Sequence, residues 1–81
     1  VPYISQGRRE ILADRELLPQ TEGELNYIIT RACQEYLSRV GVSYTNLNSI
    51  VGVLECAKLE FYRRMVVEYE EGKRRENGDV Y

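Results

Sequence analysis

The stretch from Ser43 to Asn77 constrains this chain more than any other. Within it Leu47, Ile50, Leu54, Ala57, Phe61, Met65 and Tyr69 recur every three or four positions, the spacing that lines one face of a helix. A second row, Val51, Leu59, Tyr62 and Val66, broadens that face. A helix of roughly 30 residues is about 45 Å long, more than a small domain needs to cover its core. The overhang has to be buried by something else.

The rest of the chain supplies a first partner. Val1–Gln6 reads as extended, because Pro2 offers no N–H and Tyr3 and Ile4 favour strand or coil. With Ser5 as cap, Gly7 to Leu18 is expected to form a short helix edged by Ile11, Leu12 and Leu18 and stopped by Pro19. Thr21 and Glu24 form a TxxE capping box that opens a second helix, striped by Leu25, Ile28, Ile29, Ala32, Tyr36, Leu37 and Val40 and ended by Gly41. Ser43 or Thr45 then caps the long helix.

So short a link predicts two helices lying antiparallel and side by side, with Gly23 abreast of about Phe61. The second helix runs out there. Tyr62 to Arg75 is left to helix one, to the termini or to another subunit. Gly52, inside the long helix, is read as a point of close approach by a neighbouring helix. The helix is expected to end between Glu71 and Asn77. Asn77-Gly78 then makes a turn into an extended tail, Asp79–Tyr81, placed beside the N-terminal segment as a two-stranded ribbon. The expectation is a single all-α domain over residues 1–81: a short helix, a helical hairpin whose third helix is longest, and short extended N- and C-terminal segments.

Composition narrows the function. A chain of 81 residues buries only about 60–65% of the surface its unfolded form exposes, so a partner would help its stability. A net charge of −2 argues against duplex nucleic acid, which needs a basic surface. No apolar run approaches the roughly 20 residues of a membrane span, and the first residues do not make a signal peptide. A cytoplasmic setting is expected, with Cys33 and Cys56 as two buried thiols rather than a disulfide. The chain has no histidine, which removes imidazole-based nucleophile activation and the HExxH zinc site. No catalytic residue, metal ligand or cofactor is assigned. Glu60 and Arg64 are paired i,i+4.

The sharpest constellation is the middle of the expected hairpin, where Glu60–Arg64 comes opposite Thr21–Tyr27. It gathers Arg63 and Arg64, with Arg8 and Arg9 from the first helix, into a locally basic spot suited to phosphate. Tyr3, Asn26, Tyr27 and Tyr62 are the candidates for contacting a base or sugar. Seven tyrosines against one phenylalanine fit a surface that meets ligands or subunits.

The segments Pro2–Ile4 (PYI), Gly23–Thr30 (GELNYIIT), Gly52–Arg64 (GVLECAKLEFYRR) and Glu76–Tyr81 (ENGDVY) together resemble a small family of phage and bacterial proteins to which no activity attaches. The likeness covers nearly the full length. It departs after the arginines, where a proline is expected and Val67, Glu68 and Tyr69 let the helix continue. It implies a virus-linked setting, in which small helical proteins act by binding, one class being oligomers that sequester a nucleotide immune signal. The expected function is therefore a non-catalytic binding protein for a phosphate-bearing nucleotide, assembled as a homo-oligomer through the distal half of the long helix. The alternatives are an adaptor or inhibitor docked on a host protein, and a metal-dependent phosphohydrolase.

Overall fold

A computed structural model describes residues 3–13 and 18–81 of the chain. Helix α1 spans Gln6–Ala13 and helix α2 Glu22–Val40. The long third helix follows as α3, Tyr44–Phe61, then a π-helical turn, Tyr62–Val66, and α4, Val67–Asn77, without a break in the chain's direction of coiling. Among the described residues there is no strand. The all-α reading with three helices, the third longest, holds.

Local chemistry sets most of the boundaries. The Thr21 Oγ1 accepts the Glu24 N–H at 3.1 Å, while the Glu24 carboxylate accepts the Gln20 N–H at 3.2 Å, one residue earlier than the usual capping box reaches. Gly41 ends α2 at φ 96°, a backbone conformation costly for any residue with a Cβ, and its N–H returns to the Leu37 carbonyl at 2.8 Å. Ser43, not Thr45, caps α3 by accepting the Asn46 N–H at 3.0 Å. Asn46 completes the bend. Its side-chain Nδ2 donates to the carbonyls of Val40 at 3.2 Å and Gly41 at 2.9 Å, closing the end of α2 from the start of α3. Gly78, at φ 82°, ends the long helix after Asn77.

The expected termination of the first helix near Leu18 falls on residues 14–17, outside the described residues, as does Pro2; Leu18 and Pro19 themselves are not helical. One alternative is removed and two expectations are corrected. Helix α1 packs on none of the other helices, so it does not cover the distal half of the long one. The C-terminal tail forms no ribbon: it folds back on its own helix, where Asp79 faces Arg74 at 3.7 Å and accepts the Tyr81 N–H at 2.9 Å. Gly52 is not a close-approach point, because a Cβ there would meet nothing within 4 Å. Helices α2 and α3 do lie against one another, as expected, but an open groove separates much of their length.

The result is a chain without an interior. Among the described residues none is buried, and Phe61 (63%), Tyr36 (54%) and Leu25 (49%) stand exposed on the faces that the sequence pattern points inward. The radius of gyration is 16.5 Å, against about 12 Å for a compact domain of this length. The chain exposes 7651 Å², roughly half as much again as the ~5,000 Å² of a compact monomer of this mass.

Candidate functional site

The groove between α2 and α3 has a volume of about 870 Å³. Leu25, Ile29, Ala32, Cys33 and Tyr36 form one wall, and Ile50, Val53, Leu54, Ala57 and Phe61 the other. Tyr62 and Val66 extend it, and Lys58 is the sole charged residue lining it. In α3 the wall advances by three or four residues from Ile50 to Phe61, as an α-helix requires. Beyond Phe61 it runs through Tyr62 to Val66, a step of five from Phe61 and four from Tyr62. The π-helical turn supplies the step of five: the Val67 N–H bonds to the Tyr62 carbonyl, one residue further back than in an α-helix. The continuation expected through Met65 and Tyr69 is thereby corrected. Both are exposed, and Val66 carries the groove onward.

The same turn carries the candidate phosphate ligands. The Arg63 Nη2 reaches both carboxylate oxygens of Glu60 at 3.0 Å, and the Tyr3 hydroxyl donates to Glu60 Oε1 at 3.1 Å. These hydrogen bonds, from Arg63 first and Tyr3 second, hold the Glu60 carboxyl below its ordinary range despite some opposing burial. The expected Glu60–Arg64 pair is therefore replaced by Glu60–Arg63, because Arg63 and Tyr3 already occupy the carboxylate.

Of the eight candidate residues, the structure brings Tyr3 and Arg63 together across a separation of 57 positions between Tyr3 and Glu60. Arg64 stands beside them and adds to the positive field at Glu60, with no ionic partner among the described residues. Tyr62 turns to the groove. Arg8 and Arg9 project from α1, which joins no other helix, and their side chains have no ionic partner among the described residues. Asn26 and Tyr27 lie exposed on the first turns of α2, away from the groove's lining.

Further along, Arg74 is occupied by Glu71 at 2.8 Å, and the Lys73 ammonium sits 5.6 Å from the centre of the Tyr69 ring. Both thiols are free, as expected, but neither is buried: Cys33 is half-buried in the groove and Cys56 is exposed. Among the described residues no group of three or more Cys, Asp or Glu side chains could hold a metal ion. No helix among them is long and apolar enough to cross a membrane.

Sequence reasoning gave one organising residue, Glu60, the wrong arginine and missed another, Asn46. Glu60 was readable in part, since its i,i+3 spacing to Arg63 suits an ion pair, but nothing local points to Tyr3. Asn46 had a clearer signal: an asparagine three residues after a serine N-cap, at a three-residue link, is placed to reach the carbonyls ending the previous helix.

Residues 1–80 match a family model described as a domain of unknown function (DUF6899). Neither a curated protein nor a solved structure matches the chain.

Proposed function

Since the chain belongs to the DUF6899 family, whose description assigns no activity, function has to be read from its geometry, and we propose a non-catalytic, homo-oligomeric binding protein. One observation carries this reading: no described residue is buried within a single chain. Stability of a domain comes mainly from apolar burial, which must offset a conformational entropy cost of about 1–2 kcal/mol per ordered residue. A chain that leaves Leu25, Tyr36 and Phe61 between 49% and 63% exposed cannot meet that cost alone. Another copy of the same chain is the partner present wherever it is made.

The ligand we assign to the assembled protein is a phosphate-bearing nucleotide. Arg64 at the π-helical turn and Arg8 and Arg9 on α1 are cations with no ionic partner among the described residues, while Arg63 is held by Glu60. π-helical turns are frequent at functional sites, and the exposed rings of Tyr3 and Tyr27 offer stacking surfaces. In the phage-linked setting that the motif resemblance implies, such a protein would sequester a nucleotide immune signal in the cytoplasm.

Sedimentation and melting across chain concentrations test the assembly. The expected result is a dimer or larger species whose melting temperature rises with concentration; a monomer at micromolar concentration with a constant melting temperature overturns it. A thermal-shift screen against linear and cyclic nucleotides tests the ligand. No stabilisation by any of them, together with a host protein recovered on the immobilised chain, favours the adaptor reading, for which the open groove would be the docking surface.

A further inference from the structure

We propose that the groove between α2 and α3 is the assembly surface, each copy's groove closing on the same groove of a second copy about a two-fold axis to make a four-helix core. This rests on the homo-oligomeric reading and replaces the distal half of the long helix as the interface.

Three observations point to this occupant. The first is area. The surface each chain exposes beyond a compact monomer is on the order of 2,600 Å², or about 5,200 Å² for two copies, at the upper end of the roughly 2,000–5,000 Å² and more that obligate homodimers bury in total. A small molecule could fill some 870 Å³ of groove, but it could not cover a surplus of that size. The second is charge. In a two-fold contact each residue near the axis meets its own copy, so any ionised group there faces itself. Lys58 is the sole charged lining residue, and its ammonium is turned to Glu55 at 3.4 Å on the same helix and is largely exposed. Nothing in the groove floor opposes self-association. The third is continuity. The π-helical turn keeps Val66 in line with Phe61, so one apolar row runs past the end of α2 and is available to the partner's helices. Two helices from each copy then form the arrangement in which facing apolar rows are commonly buried, a four-helix bundle.

The two free thiols provide a test on the unaltered protein. Cys33 lines the groove and Cys56 lies outside it, exposed. Brief alkylation with N-ethylmaleimide, read by peptide mass spectrometry, is to be run above and below the concentration at which sedimentation shows assembly. Cys33 is expected to react at least ten times more slowly in the assembled protein than in the dissociated one, and Cys56 at an unchanged rate. An assembly in which Cys33 reacts as fast as Cys56, or in which Cys56 is the protected thiol, overturns the groove as the interface and leaves the homo-oligomer standing. A protein that sediments as a monomer throughout overturns both. Ala57→Glu, in the groove, is expected to abolish assembly while Tyr69→Glu, outside it, preserves it. An Ala57→Glu protein that sediments like the wild type also overturns the proposal. Should Ala57→Glu fail to fold, the alkylation pattern of the wild type decides alone.

Discussion

Replacing Gly52 by alanine should stabilise this protein, and the size of the gain follows from what surrounds the residue. Glycine in a helix interior costs about 1 kcal/mol relative to alanine, because the unfolded chain loses more backbone freedom on ordering. Gly52 has an ordinary helical backbone and a Cβ built on it meets nothing within 4 Å. No steric term offsets the entropic one. Gly52 is also two residues from both Ile50 and Leu54, hence on nearly the opposite side of α3 from the groove. A gain of about 1 kcal/mol per chain is expected, which at this size raises the melting temperature by about 4–8 °C. Urea unfolding at one fixed chain concentration measures it, since unfolding coupled to dissociation shifts with concentration. A lower denaturation midpoint for Gly52→Ala would refute the reasoning: it would mean that another chain packs against Gly52, on the face that also carries Cys56.

Other perturbations test single contacts. Asn46→Ala removes two hydrogen bonds to the carbonyls of Val40 and Gly41 and should cost about 1–2 kcal/mol in the same urea assay; an unchanged midpoint means that solvent serves those carbonyls equally well. Gly41→Ala places a Cβ at φ 96° and should destabilise by about 1–3 kcal/mol, although space there is open. Because Arg63 and then Tyr3 hold the Glu60 carboxyl below its ordinary value, the unfolded chain takes up that proton first as pH falls. This link contributes stability above the ordinary glutamate range and loses it as pH drops through the lowered folded value. Tyr3→Phe should move Glu60 back toward the ordinary value, observed by carboxyl NMR titration; an unmoved titration means that the Tyr3 contact is absent in solution.

Much of the helical framework was legible because its signals are local. Thr21, Gly41, Ser43 and Gly78 mark boundaries through side-chain oxygens or positive φ, and each acts within four residues of itself. The same locality explains what could not be read. Glu60 takes Tyr3 from 57 positions away, and no periodicity encodes such a meeting. The opening between α2 and α3 was hidden for another reason. Apolar stripes state which faces avoid water but not which chain covers them, so Leu25 and Phe61 read as a closed hairpin. The π-helical turn escaped because Tyr62–Val66 contains no proline or glycine to announce a departure from α geometry. Of the candidate binding residues, Tyr3 and Arg63 proved neighbours, whereas Arg8 and Arg9 sit on a helix that joins no other.

That π-helical turn also makes the chain tolerant of a change in length at one place. It holds one residue more than an α-helical turn while keeping Val66 in line with Phe61. Deleting a single residue between them would heal the helix to α geometry with Val66 then four positions on, still over Phe61, and everything beyond it keeping its orientation. Elsewhere in α3 the same deletion would swing all later side chains by about 100°. Single-residue gains and losses among family members should therefore collect between Tyr62 and Val66, where the spare position is filled by the segment that carries Arg63 and Arg64.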